Sequence, residues 1–270
     1  MKVSCIQMDV QLGRPEENHA RAEQLIRQAA KEQPDVILLP ELWDVGFFPK
    51  ENLKELADPD CTRVITHMGA LAKELGINIV AGSVACLRGD SVYNTACVFD
   101  RAGTLIAQYD KTHLFSPMGE DDYFAKGDHI CRFQMDGHDV GILICYDIRF
   151  PELTRAMTVP GLELLFMVSQ WPDVRVPHLQ VLTQARAIEN QMYLACCNAC
   201  GKAGETQYGG NSSVIDPWGQ VLARAGAGEE IITAQCDFQV NAKIRTSMHI
   251  FADRRPDLYE IPINRNLTVG

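Results

Sequence analysis

Apolar residues in this chain fall into two patterns, short unbroken blocks and longer stretches that return every three to four positions. Blocks at 36–39, 140–144 and 164–168 lack polar alternation and predict strands buried on both faces, and 3–8, 77–82 and 192–197 predict further strands. Helical spacing follows the acidic start Pro15-Glu16-Glu17 at Ala22, Leu25, Ile26 and Ala29. It recurs at Val64, Ile65, Met68, Leu71, Ala72 and Leu75, where Gly76 is placed to cap the helix in a left-handed conformation. A third helix is expected after Pro177, through Leu179, Leu182, Ala185, Arg186 and Glu189. Two hairpins are predicted, 92–100 with 104–110 and 211–216 with 220–223, the second turning on Pro217-Trp218-Gly219. Residues 130–135 should pair with 140–144 across Asp136-Gly137-His138; a strand at 231–236 and a short helix near 238–246 precede an irregular tail from Asp253. No linker, repeat or shift in composition divides these elements, so residues 1–270 read as one domain. Strands alternating with helices and mixed with hairpins imply an α/β sandwich with helix-covered sheets, not a purely parallel doubly wound sheet.

Charge narrows the partners. A formal net charge of −10 argues against nucleic acid and anionic membrane, both of which need a basic surface, and no run of 18 apolar residues is present to span a bilayer. The ten cysteines are scattered, and the chain opens on Met1 and a strand instead of a signal peptide, so a reducing cytoplasm is the expected compartment. Cys197 and Cys200 have C-x-x-C spacing, but no second pair stands at zinc-ribbon distance, and packing is the simpler reading.

The candidate chemistry lies where strands end. Glu41, Lys111 and Cys145 each come directly, or one residue, after an apolar strand, and sites in α/β sheets gather outside the carboxyl ends of strands. Converged, they form a reactive set: the carboxylate acts as base toward the thiol and returns the proton to a leaving amine. The ammonium and the Tyr146 N–H would face a tetrahedral oxyanion. Spacing alone leaves other readings open. Glu41 and Lys111 suit a solvated ion pair, Cys145 a buried thiol, and Glu120, Asp121 and Asp122 an acidic loop. His113 and His178 suit a Cys–His hydrolase, while Asp147, Arg149 and Glu152 suit an ion pair that fixes the turn.

Three stretches carry a resemblance: Leu39-Pro40-Glu41-Leu42; Tyr109-Asp110-Lys111-Thr112-His113-Leu114-Phe115; and Leu143-Ile144-Cys145-Tyr146-Asp147-Ile148-Arg149-Phe150-Pro151-Glu152. In order and spacing they resemble the catalytic motifs of the nitrilase, or carbon–nitrogen hydrolase, superfamily. The similarity extends through Arg186-Ala187-Ile188-Glu189-Asn190-Gln191 and Asn211-Ser212-Ser213-Val214-Ile215-Asp216-Pro217-Trp218-Gly219 to Arg255-Pro256-Asp257-Leu258-Tyr259. The resemblance implies a four-layer αββα sandwich, usually dimeric or of higher order, with no metal or organic cofactor. It implies Cys145 as nucleophile, Glu41 as base and acid, Lys111 with the Tyr146 N–H at the oxyanion, and Glu120 as a second glutamate orienting the site.

Cys145-Tyr146-Asp147 is similar to the amidase branch rather than to true nitrilases, and within it to the ω-amidase-like group acting on 2-oxoglutaramate in methionine salvage. A small carboxylate-bearing primary amide is then the expected substrate, and a guanidinium its carboxylate partner. Arg175 in the loop Trp171-Pro172-Asp173-Val174-Arg175 is the candidate, with Trp171 beside it. N-carbamoyl amino acids, deaminated peptides or nitriles are the rival substrates for the same three residues, and a non-catalytic dimeric regulator the rival class. Met248-His249 departs from the family pattern, which places a proline there.

Overall fold

The computed structural model describes residues 1–159 and 161–259. The first half of the chain runs β1 (Lys2–Gln7), α1 (Pro15–Ala29), β2 (Val36–Leu38), α2 (Leu53–Leu56), β3 (Asp58–Pro59), α3 (Thr62–Leu75), β4 (Asn78–Arg88), β5 (Ser91–Phe99) and β6 (Leu105–Asp110). The second half runs β7 (Cys131–Met135), β8 (His138–Ile144), α4 (Pro151–Thr158), β9 (Leu164–Ser169), α5 (Val176–Asn190) and β10 (Tyr193–Asn198). It continues with β11 (Cys200–Ala203), β12 (Thr206–Gly209), β13 (Ser213–Ile215), β14 (Val221–Arg224), β15 (Glu230–Gln235) and α6 (Gln239–Ser247).

Two mixed sheets result, one ordered β15-β1-β2-β4-β5-β6 with β3 beside β4, the other β14-β13-β10-β9-β8-β7. The two-residue period of the strands separates two cores. Val3, Cys5, Val36, Leu38, Val80, Ala96 and Val98 face the second sheet and meet Ile142, Ile144, Phe166 and Cys196. The alternate residues Ile37, Leu39, Ile79, Ala81, Cys97 and Phe99 face Leu25, Ile26, Met68 and Leu71 of α1 and α3. With Met157 of α4 and Leu179 and Ala187 of α5 against the second sheet, the layers are helix, sheet, sheet, helix, as expected.

Several boundaries differ from the expected ones. The strand expected to stop at Gly82 continues to Arg88 as β4, because the chain shifts register between Val80 and Ser83 and resumes pairing with β5. The β11–β12 hairpin has too few apolar residues to show in a periodicity reading. Gly76 caps α3 at φ 67°. The tail is turn and bend through Leu258, and the expectation for 260–270 lies outside the described residues.

The cysteine reading needs one correction. Cys61 and Cys86 form a disulfide: they are 25 positions apart in sequence, but α3 packs against β4 and brings their Cα atoms to 5.2 Å, within bridging range. The remaining eight are free and buried. Among them, the Cys197 thiol donates to the carbonyls of Ile6 and Leu38, a core role.

Candidate active site

Each of the three strand-end residues is held by its own local geometry. Glu41 sits on a turn after β2 that lies flat on β4, where a Cβ at Gly82 would come within 2.0 Å of the Pro40 carbonyl oxygen. Ser83 fastens that turn: its N–H donates to Pro40 O at 3.1 Å and its hydroxyl accepts from the Leu42 N–H at 3.0 Å. Lys111 leaves β6 with its N–H on Asn94 O and its carbonyl accepting from Gly127. Cys145 closes β8 at φ 49°, a left-handed conformation that is costly for a residue with a Cβ and is characteristic of functional sites. It begins a 3-10 turn, Cys145–Arg149, that leads into α4.

Asp147 fixes that turn through hydrogen bonds, and among the described residues it makes no ion pair with Arg149. Its fully buried carboxylate accepts at Oδ2 from Ile144 N (3.0 Å) and the Tyr109 hydroxyl (2.8 Å). At Oδ1 it accepts from Thr112 Oγ1, His113 N and His113 Nδ1 at 2.8–3.1 Å. One side chain thus ties the strand end carrying Lys111 to the turn carrying Cys145. Burial and the neighbouring Asp147 push Tyr109 well above the usual phenol range, so its hydroxyl stays a donor.

Glu41, Lys111 and Glu120 are fully buried, which removes the solvated readings for all three. Lys111 Nζ donates to Glu41 Oε1 at 2.8 Å and to both oxygens of Glu120 at 2.9 and 2.8 Å. Burial opposes its charge, but Glu41 and Glu120 outweigh burial and raise its pKa, so it is an ammonium at any working pH. Burial raises the Glu120 pKa despite Lys111. Burial and then Glu41 push the Cys145 thiol well above its ordinary value, against the opposing pull of Lys111 and the Ser169 hydroxyl. A thiol in that state reacts as a nucleophile only with a base to take its proton.

Asn94 and Gln170 also belong to the site. Asn94 Nδ2 bridges Glu41 Oε1 and Glu120 Oε1 at 2.9 and 3.2 Å, and the Gln170 N–H donates to Glu41 Oε2 at 2.8 Å. Sequence reasoning passes over both: Asn94 stands beside Thr95 within β5 with nothing to single it out, and the contacts of Gln170 come from distant stretches. Asp121 and Asp122 are exposed. His113 stacks on Phe150 at 3.7 Å and bonds Asp147, and His178 lies against Arg149, so the histidines have partners other than the thiol.

Above Cys145 lies a small pocket walled by Phe47, Phe115, Met118, Tyr146 and Trp171, with Gln170, Arg149 and Arg175 as its polar lining. The Arg149 guanidinium stacks 4.7 Å from the Trp171 ring centre, and that of Arg175 5.0 Å from Phe115. Trp171 Nε1 donates to Arg175 O at 2.8 Å. No ion pair involves either arginine among the described residues, so both guanidiniums have free donors at the pocket.

A buried acid, ammonium and thiol thus meet at the foot of a small pocket with two arginines in its lining. The sequence model of the carbon-nitrogen hydrolases matches residues 2–246, and the chain belongs to this family, whose members are enzymes acting on carbon–nitrogen bonds. It is similar to the 2-oxoglutaramate amidase of Bacillus subtilis (strain 168), 44% identical over 257 residues that cover 95% of this chain and 98% of that protein. It is also similar to the omega-amidase NIT2 of Xenopus tropicalis, 33% identical over 260 residues, covering 93% and 94% of the two chains. Among solved structures, a CN-hydrolase superfamily protein of Xanthomonas campestris with an arsenic adduct in its active site superposes with a TM-score of 0.89 at 27% identity, covering 94% of this chain and 97% of that one.

Proposed function

We propose that this chain is a cysteine-dependent amidase that hydrolyses a small carboxylate-bearing primary amide, of the 2-oxoglutaramate type, to the acid and ammonia. Glu41 takes the Cys145 proton as sulfur attacks the amide carbon, and the oxyanion forms against Lys111 Nζ and the Tyr146 N–H. The C–N bond breaks as Glu41 returns the proton to nitrogen, releasing ammonia and leaving a thioester on Cys145. Glu41 then deprotonates water, which attacks the thioester; the acid departs and the thiolate regains its proton. Glu120 and Asn94 keep Glu41 and Lys111 in register.

The observation that carries the choice of substrate is the pair of guanidiniums, Arg149 and Arg175, that line the same small pocket as Cys145 and make no ion pair among the described residues. A planar carboxylate bonds to such donors in bidentate fashion, and an adjacent keto oxygen takes a further donor. The names of the relatives from Bacillus subtilis and Xenopus tropicalis agree with this choice. We read residues 1–270 as one carbon–nitrogen hydrolase domain, working in the cytoplasm as a dimer or higher homo-oligomer. Supporting self-association, Val181 and Ile188 on α5 and Trp218 on the adjoining hairpin are at least half exposed.

The test is ammonia release from 2-oxoglutaramate beside N-carbamoyl amino acids, nitriles and an unsubstituted amide of equal length. The expected result is turnover of 2-oxoglutaramate with kcat/KM at least about 100-fold above the amide without a carboxylate. Equal turnover of those two amides, or a preference for nitriles, would overturn the assignment.

A further inference from the structure

Gln170 holds a buried acceptor with nothing to accept. Its side-chain Nε2 donates to the carbonyl oxygens of Glu41 at 2.7 Å and Leu42 at 3.2 Å. Two carbonyls on one amide nitrogen settle the orientation of the group, because reversing it would set oxygen against oxygen. The other end, Oε1, is then fixed as an acceptor, and it is buried without a hydrogen-bond partner, although the residue is 2% exposed and lines the pocket with Cys145. Of the buried side-chain acceptors left unpaired among the described residues, it is the one whose residue lines this pocket, where a bound molecule can supply the missing donor.

We propose that Gln170 Oε1 accepts a hydrogen bond from the –NH2 of the scissile amide and thereby makes the site selective for primary amides over acyl compounds whose leaving group carries no N–H. The proposal rests on the reading of Cys145 as nucleophile and Glu41 as proton carrier. Its chemistry follows from the position of Gln170, whose backbone N–H holds Glu41 Oε2. In the tetrahedral intermediate the nitrogen has two N–H bonds and one lone pair, and only the lone pair can take the proton from Glu41. An acceptor fixed beside Glu41 engages one N–H and stops rotation about the C–N bond with the lone pair turned toward the acid. An ester or an N,N-dialkyl amide has no N–H to offer, so its binding leaves Oε1 buried and unpaired, the arrangement by which sites reject analogues lacking a donor.

The experiment compares 2-oxoglutaramate with the methyl ester of the same ω-carboxyl group, on the wild-type protein and on Gln170→Met. The variant is expected to lose about 10- to 100-fold in kcat/KM on the amide, with a loss on the ester at least fivefold smaller. Equal losses on the two substrates would make Gln170 a scaffold for the Glu41 turn and overturn the proposal, as would no loss on the amide. Should Gln170→Met not fold, the wild type is tested on the N-methyl and N,N-dimethyl amides. Retained turnover of the first with collapse of the second supports the role; similar rates for both refute it. A wild type inactive on amide and ester alike refutes the amidase reading, and this assignment with it.

Discussion

Replacing Asp147 by Asn tests whether one buried carboxylate holds the Cys145 turn against the Lys111 strand. The side chain keeps its shape but must present an NH2 where one oxygen accepted. Turned toward Oδ1 the NH2 would oppose the donors of Thr112 and His113; turned toward Oδ2 it opposes only Ile144 N and the Tyr109 hydroxyl. The second arrangement costs less, since the Tyr109 hydroxyl can rotate and accept, while the Ile144 N–H loses its partner outright. One charge-assisted bond lost, with the others reduced to neutral strength, amounts to about 2–4 kcal/mol. For a chain of this size that lowers Tm by about 4–8 °C. Ile144 precedes Cys145, whose φ of 49° depends on this clamp, and a displacement of about 1 Å costs on the order of 100-fold in rate. Calorimetry beside the ammonia assay measures both, with the expected loss in kcat larger than any change in KM. A variant within 2 °C and threefold of the parent would refute the clamp.

Arg175→Ala is expected to raise KM for 2-oxoglutaramate at least about tenfold while leaving an uncharged amide little affected; a parallel loss on both would mean that Arg175 only supports Trp171. Asp44, next to the Glu41 turn and 3% exposed, has its carboxyl pushed up to about 7 by burial, against backbone N–H donors at Val45 and Ala85. The folded state therefore favours its protonated form: the contribution is fully present below pH about 4 and is lost as pH rises through 7, up to roughly 4 kcal/mol in all. Asp44→Asn should gain stability relative to the parent on going from pH 5 to pH 8 in urea denaturation. An unchanged difference between the two proteins would contradict this.

The layers of the fold were legible because the inner strands are buried on both faces and appear as unbroken apolar blocks. The Glu41, Lys111 and Cys145 positions were legible for a related reason, since polar chemistry directly after such a block must lie at a sheet end. Glu120 was not separable from Asp121 and Asp122 on charge alone; only packing buries the first beneath Lys111 and leaves the others in water. From sequence Arg149 reads as part of a turn ion pair, but Asp147 is satisfied by hydroxyls and N–H groups, which leaves the guanidinium to line the pocket. Asn94 and Gln170 depend on pairings across 53 and 129 residues, beyond the reach of local pattern.

The most direct test of the central claim is intact-protein mass spectrometry on samples quenched in acid during turnover of 2-oxoglutaramate. The account predicts a transient adduct equal to the substrate less ammonia, located on the peptide holding Cys145, with both the adduct and ammonia release absent from Cys145→Ala. Ammonia released at an undiminished rate by Cys145→Ala, or an adduct on another residue, would contradict it.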